Sequence, residues 1–291
     1  MYAALFPGQG AQKLGMAASI MESAAVPLLE EASAILGYDI AALAQTGPEE
    51  KLQDTRFSQP LIFTITYALW QLRRETLGDP CCFLGHSLGE VTAAAAAGCF
   101  TFGDGVQLAA RRGEFMSQAY PEGGGMLAVL GLNEDQVDAL CEESQDKGWI
   151  QAANFNGPGQ IVLSGEAAAL DKAAELASSL GARRVVRLKV SGPFHSQLMK
   201  PAAQELAKHL AQVQIRAPRA PLIANATAAP LVTGEQVAAE LVAQLTAPVL
   251  WTAAVTAAHE LGADELIEFG THPVVSPFSK RIVKGIKISL A

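Results

Sequence analysis

Apolar residues follow two rhythms along the 291-residue chain, and their alternation predicts the fold class. Short unbroken apolar runs bounded by turn residues read as buried strands. Tyr2–Phe6 is one, breaking at Pro7-Gly8-Gln9-Gly10, and Cys81–Leu84 is another, breaking at Gly85. Longer stretches with apolar positions three and four apart read as helices. The first spans Met16 to Leu36 with Gly37 as its stop, and a second spans Leu61–Leu72, after Ser58-Gln59-Pro60, ending in the basic turn Arg73-Arg74. A third, the Ala-rich Glu90–Ala97, is closed by Gly98. Strands alternating with helices predict an α/β layer with a mostly parallel sheet.

Between residues 123 and 188 the rhythm changes. Gly123-Gly124-Gly125 is a flexible entry, Met126–Leu130 reads as a strand, and Asn133–Lys147 as a helix whose first residue can cap it. Ile150–Phe155 and Ile161–Leu163 read as strands around Asn156-Gly157-Pro158-Gly159. Glu166–Leu180 is a second helix, stopped by Gly181, and Val185–Leu188 a last strand. This β-α-β-β-α-β order is that of a ferredoxin-like unit. The expected organisation is a discontinuous large subdomain, 1–122 and 189–291, with a small one, 123–188, inserted. Beyond it, helical patterns cover Met199–Leu210, Gly234–Leu245 and Thr252–Leu261, with strands at Leu222–Ala224 and Glu265–Phe269.

Composition narrows the function classes. Half of the residues are hydrophobic and 17% are charged, which supplies a large core and excludes an intrinsically disordered chain. The formal charge of −8 argues against nucleic acid, which demands a local excess of Lys and Arg. Cys81, Cys82, Cys99 and Cys141 have neither metal-ligand spacing nor the density of a disulfide framework, and are expected to be reduced thiols. No basic segment followed by a long apolar run opens the chain, and no apolar run is long enough to span a bilayer. A cytoplasmic protein with no membrane partner is expected.

Gly85-His86-Ser87-Leu88-Gly89 matches the nucleophile elbow G-x-S-x-G, with a predicted strand before it and a helix after it. A sharp strand-to-helix turn pushes the Ser87 hydroxyl out of the sheet, and the helix N-terminus behind it favours developing negative charge. A serine hydroxyl needs a base. His209 and His259 fall in helical patterns, His272 precedes Pro273 in a loop, and the elbow turns His86 away from its neighbour. His195, in the turn Ser191-Gly192-Pro193-Phe194-His195-Ser196, follows Ser87 in the order of α/β-hydrolases, although a lone loop histidine is as often structural. Pro7-Gly8-Gln9-Gly10 can aim backbone N–H groups at an oxyanion. It is not a dinucleotide loop, because Gly8, Gly10 and Gly15 do not make G-x-G-x-x-G.

Five segments in order carry a resemblance: Phe6-Pro7-Gly8-Gln9-Gly10, Gly85-His86-Ser87-Leu88-Gly89-Glu90, Arg112-Gly113-Glu114-Phe115-Met116, Asn154-Phe155-Asn156-Gly157-Pro158-Gly159-Gln160 and Gly192-Pro193-Phe194-His195-Ser196. Together they closely resemble the malonyl-CoA:acyl carrier protein transacylase family, including the free-standing, trans-acting acyltransferases of polyketide pathways. The resemblance covers essentially the whole chain. It implies an α/β-hydrolase-like large subdomain carrying a ferredoxin-like small one, in agreement with the pattern. It also implies Ser87 as nucleophile, His195 as base, and the N–H groups of Gln9 and Leu88 as oxyanion hole. Arg112 would clamp the malonyl carboxylate as a fork, with Gln59 near the pocket, and the Leu250 carbonyl, in Pro248-Val249-Leu250-Trp251, would orient the histidine. Phe194 resembles the malonyl-selective form, a smaller residue leaving room for an α-methyl branch.

The implied reaction is a ping-pong transfer from malonyl-CoA to the phosphopantetheine thiol of an acyl carrier protein, with no bound cofactor and no metal. Gly270-Thr271-His272-Pro273-Val274-Val275 and Glu90-Val91-Thr92-Ala93 resemble modular polyketide acyltransferases, favouring a polyketide role over fatty acid synthesis. The rivals are an acyl hydrolase of the same fold, whose members lack the carboxylate-binding arginine, and a silent docking partner, which Ser87 and His195 argue against. Carrier proteins are typically acidic, so the clusters Arg183, Arg184, Arg187, Lys189 and Lys280, Arg281, Lys284, Lys287 are candidate docking patches within an acidic chain.

Overall fold

A computed structural model describes residues 1–190 and 192–291. Ser191, which opens the predicted histidine turn, lies outside the described residues. The first strand, β1 (Tyr2–Phe6), is buried along its whole length. Four helices follow it: α1 (Val26–Leu36), α2 (Ile40–Thr46), α3 (Glu49–Gln53) and α4 (Thr55–Leu77). The helix predicted from Met16 is shorter than its apolar pattern, because residues 16–25 form successive turns. Pro27 explains the difference: in mid-helix it would break the hydrogen-bond ladder, whereas in the first turn of α1 its missing N–H costs nothing.

The long α4 differs in the opposite sense. Asp54 caps it by accepting the Arg56 N–H at 2.9 Å, so Ser58, Gln59 and Pro60 lie inside the helix and not before it. Continuous burial from Ser58 to Thr66 outweighs the one backbone bond that Pro60 forgoes. Next come β2 (Cys82–Gly85), α5 (Leu88–Ala96) and α6 (Phe102–Ala119). The pattern reading assigns no element to α6. Its N-terminal signal is a capping box in which the Thr101 and Asp104 side chains satisfy each other's backbone N–H groups.

The inserted unit comprises β3 (Gly124–Leu130), α7 (Glu134–Ser144), β4 (Ile150–Gly157), β5 (Gln160–Glu166), α8 (Ala167–Ser179) and β6 (Arg184–Arg187). Then follow α9 (Lys200–Leu210), β7 (Leu222–Ile223), β8 (Pro230–Leu231), α10 (Gly234–Ala243) and α11 (Trp251–Glu260). The chain closes with β9 (Glu265–Glu268), α12 (Ser276–Ser279) and β10 (Lys287–Leu290).

Two sheets result. The larger runs β10-β9-β1-β2-β7-β8, parallel throughout except for the β7–β8 pair. The smaller runs β4-β5-β3-β6, antiparallel throughout, which is the strand order of a ferredoxin-like unit. An α/β-hydrolase-like layer thus carries a small antiparallel subdomain. The two are joined at β4, where Phe155 N–H donates to the Val249 carbonyl at 2.9 Å and Val249 N–H to the Ala153 carbonyl at 2.8 Å. Among the described residues no helix is long and apolar enough to cross a membrane.

In a parallel sheet the loops at the carboxyl ends of adjacent strands converge, and sites form there. Phe6 of β1 stands level with Gly85 of β2, so Pro7–Gln9 and His86–Leu88 leave the sheet side by side.

Candidate active site

The turn after β2 folds as the elbow that its glycines predict. Ser87 has φ 55° and ψ −112°, in the left-handed half of the map that a non-glycine residue enters only when its surroundings compel it. A Cβ on Gly85 would lie 2.0 Å from the Gly89 carbonyl oxygen, and one on Gly89 would lie 2.0 Å from that of Phe6. The strand-to-helix corner can therefore press against β1 only without side chains at these positions. Gly8 makes the matching approach from the other loop, where a Cβ would meet the His86 carbonyl oxygen at 2.4 Å.

His195 reaches Ser87 across the chain, its Nε2 standing 2.7 Å from Ser87 Oγ. It too has a positive φ, 56°. Its Nδ1 lies 2.7 Å from the Gln244 carbonyl, which accepts the Nδ1 proton and leaves Nε2 free to accept from the serine hydroxyl. This corrects the expectation for Leu250. That residue is the N-cap of α11, and its carbonyl accepts the Ala254 N–H at 2.9 Å, so the helix uses the oxygen that was to hold the imidazole. Burial, and after it the Arg112 charge, push the His195 imidazole down to about 3, so it stays neutral.

Arg112 is not a surface residue of α6. It is 1% exposed and points into the site, where Nη2 donates to Ser87 Oγ at 3.2 Å and to Gln244 Oε1 at 2.7 Å. Its Nη1 donates to Gln59 Oε1 at 2.8 Å, while Nε, also buried, has no partner among the described residues. Burial pulls the guanidinium down to about 10, against the attraction of Glu90. The charge survives at neutral pH and has no carboxylate directly on it, which suits an anionic guest.

A buried polar frame beneath these groups was not read from the sequence. Asn225 Oδ1 accepts the Ser87 N–H at 2.8 Å, and its Nδ2 donates to the Gly85 carbonyl at 2.7 Å, so one amide braces both sides of the elbow. Glu90 Oε1 accepts the Asn225 N–H at 2.9 Å and Oε2 accepts from Gln244 Nε2 at 2.6 Å. Burial, and next the Glu240 carboxyl, raise the Glu90 pKa well above the usual carboxylate range, and these N–H bonds pull it back. Only Glu90 had a signal, as a charged residue within an otherwise apolar helix. Asn225 and Gln244 had none.

The N–H groups of Gln9 and Leu88 donate to no other described residue. Leu88 is the first residue of α5, where N–H groups lack helical partners. The Gln9 side chain is tethered to Thr55 and Ser58 by Nε2 at 3.0 and 3.2 Å. Gln9, and Ser87 just before Leu88, line a pocket of about 160 Å³, comparable to cavities that accept a benzene-sized guest. Met126, Val162 and Phe194 form its apolar wall. Glu268 shapes another wall by accepting the N–H groups of Val274, Val275 and Ser276 at 2.8, 3.1 and 2.9 Å, which fixes the loop ahead of Phe278. His86 lines the pocket but turns its Nε2 to Asn156 Oδ1, 2.7 Å away.

Comparison with known proteins agrees with this geometry. Residues 4–287 match the family model of the acyl transferase domain. A malonyl CoA-acyl carrier protein transacylase of Salmonella typhimurium is 40% identical over 294 aligned positions, covering 99% of this chain and 94% of the relative. The chain belongs to this transacylase family. Among solved structures of the family, an acyl-carrier-protein S-malonyltransferase from Burkholderia pseudomallei superposes with a TM-score of 0.96 at 39% identity, covering 99% of this chain and 95% of that one. A malonyl-transacylase solved with a type II polyketide synthase acyl carrier protein superposes with a TM-score of 0.94 at 38% identity, covering 100% and 94%.

Proposed function

We propose that this protein is a malonyl-CoA:acyl carrier protein S-malonyltransferase, acting in the cytoplasm on a carrier protein of polyketide or fatty acid synthesis. The observation that carries the reading is the Arg112 guanidinium, buried and 3.2 Å from Ser87 Oγ. An acyl group bearing a free carboxylate can reach the serine while its charge meets the fork of the arginine. An acyl hydrolase handling uncharged chains has no use for that charge.

The chemistry follows from the hydrogen bonds. Neutral His195 takes the Ser87 proton at Nε2 as Oγ attacks the thioester carbonyl of malonyl-CoA. The N–H groups of Gln9 and Leu88 hold the oxyanion, and the Gln244 carbonyl holds the imidazolium through Nδ1–H. Collapse expels the CoA sulfur, which leaves as the thiol after taking the proton from His195. In the second half the phosphopantetheine thiol gives its proton to Nε2 and attacks the O-malonyl ester, and Ser87 recovers the proton as it leaves. No carboxylate serves as a third triad member. Gln59 sets Arg112, and Phe194 fills the space an α-methyl branch would need.

Two basic groups flank the mouth. Lys189 lies between the pocket residues Leu188 and Val190, and exposed Lys280 and Arg281 follow Phe278. Lys287 starts β10 at the far end of the sheet, so the clusters divide and only their pocket-side members suit an acidic carrier. Intact mass after incubation with malonyl-CoA tests the assignment. Expected is one malonyl adduct, absent in Ser87→Ala and discharged by a carrier protein bearing phosphopantetheine. No adduct at any time would mean a silent partner, and discharge to water alone would mean a hydrolase.

A further inference from the structure

Arg112 is aimed by an amide, and an amide has two unlike ends. Gln244 presents Oε1 to Arg112 Nη2 at 2.7 Å and Nε2 to Glu90 Oε2 at 2.6 Å. Were the amide reversed, its NH2 would confront a guanidinium, which has donors only. Gln244 is fully buried, so water cannot repair such a clash, and its orientation is set by the acceptors at the other end, the Ser87 carbonyl at 3.3 Å and, much closer, a carboxylate at 2.6 Å. Glu90 stands there, itself 0% exposed. Its other oxygen is taken by the Asn225 N–H at 2.9 Å, so it cannot turn away from Gln244 without abandoning a buried backbone donor.

We propose that Glu90 is a positioning residue that fixes the polarity of the Gln244 amide, and through it holds Arg112 facing Ser87 to receive a carboxylated acyl donor. The inference rests on the malonyl-transfer reading and deepens it: the Glu90 backbone N–H donates to the Ser87 carbonyl at 3.0 Å, but the Glu90 side chain bonds only to Asn225 and Gln244 and does not line the pocket. The His195 imidazole is held by the Gln244 backbone carbonyl, and the side-chain amide reaches Ser87 only at its backbone carbonyl, 3.3 Å from Nε2, not at the reacting Oγ.

An atom-for-atom consequence distinguishes this role from general support. In Glu90→Gln the introduced amide must keep its oxygen toward the Asn225 N–H, which turns its NH2 toward Gln244. Gln244 then reverses to offer Oε1 to that NH2, giving up the longer bond to the Ser87 carbonyl, and its own Nε2 faces Arg112. The guanidinium loses an acceptor and gains a clash. Loss of a hydrogen bond to a charged group is worth about 1.5–3 kcal/mol, or roughly 10- to 150-fold. Glu90→Asp, by contrast, keeps a carboxylate, which only accepts, and so preserves the polarity that Glu90→Gln removes.

The test measures loading of the intact enzyme from malonyl-CoA and from acetyl-CoA, which has no carboxylate, with thermal unfolding as control. Glu90→Gln should lower kcat/KM for malonyl-CoA by roughly 10- to 150-fold, mostly through KM. Acetyl loading should change less than about threefold, and Glu90→Asp should retain more malonyl loading than Glu90→Gln. Equal losses for both donors, an unchanged malonyl KM, or a malonyl loss in Glu90→Asp as large as that in Glu90→Gln would each overturn the proposal. If Glu90→Gln does not fold, Glu90→Asp decides alone: folded and malonyl-active supports the polarity, unfolded or malonyl-inactive refutes it. Failure of the transfer reading looks different, because the unaltered enzyme itself would then fail to load malonyl.

Discussion

The corner between β2 and α5 and the wall contributed by β3 and β5 face the same pocket but are built on opposite principles. At the corner every position is committed: glycines meet carbonyl oxygens at distances that leave no room for a methyl group, Ser87 is held at positive φ, and Asn225 braces both flanks. The antiparallel wall offers Met126 and Val162, apolar side chains with no hydrogen bonds to satisfy. Chemistry demands the first kind of construction, because reacting atoms must be placed to fractions of an ångström. Selectivity for an acyl group tolerates the second, because apolar contacts discriminate by volume.

The sharpest way to break the contrast is to add one methyl group at the corner. Gly89→Ala should abolish loading and lower thermal stability markedly, since the new Cβ would overlap the Phe6 carbonyl; a folded, active variant would refute the close approach. Next in size is Arg112→Ala, expected to cut malonyl transfer about 100-fold, while uncharged acyl thioesters are accepted more readily. Unaffected malonyl kinetics would show that the carboxylate binds elsewhere. On the apolar wall, Met126→Ala should cost malonyl loading no more than about 10-fold and ease entry of bulkier acyl groups. A loss comparable to that at the corner would erase the distinction. Smaller still, Lys280→Glu should weaken carrier use a few-fold at low salt and spare acylation by malonyl-CoA; equal effects on both half-reactions would exclude a docking role.

The last expectation is an effect that should be missing. His195 is held near 3, far below the usual imidazole range, so the base stays competent as pH falls through 6.5. Single-turnover acylation should show no acid limb there, and a limb near 6.5 would mean a solvated imidazole. Stability behaves otherwise. Between about 3 and 6.5 the unfolded chain takes up a proton at this histidine that the folded chain refuses, so unfolding should ease as pH drops through that window.

Legibility in the sequence tracked how local each cause is. The ferredoxin-like unit could be read because its helices and strands carry their own caps and periods: Asn133 and Gln136 form a capping box, and Gly181 ends the helical run. The elbow was equally visible, since its glycines and Ser87 lie within five positions. The start of α1 was misread because apolar spacing outweighed Pro27, and α6 was missed although Thr101 and Asp104 mark its start. Assigning the imidazole to the Leu250 carbonyl failed for a different reason. Any carbonyl can serve there, and only the path of the chain between α10 and α11 brings that of Gln244 to Nδ1.

The sequence alone determined the strand–helix alternation and the elbow with its nucleophile, because each is a matter of residue type and short-range spacing, whereas His195 as base and Arg112 as cation were singled out only by the family resemblance. Tertiary structure alone decided that Ser87, Arg112 and His195 share one hydrogen-bonded cluster, and that Gln244, Glu90 and Asn225 hold them there. An amide or carboxylate becomes a brace only when burial removes water as its partner, and burial belongs to the folded chain.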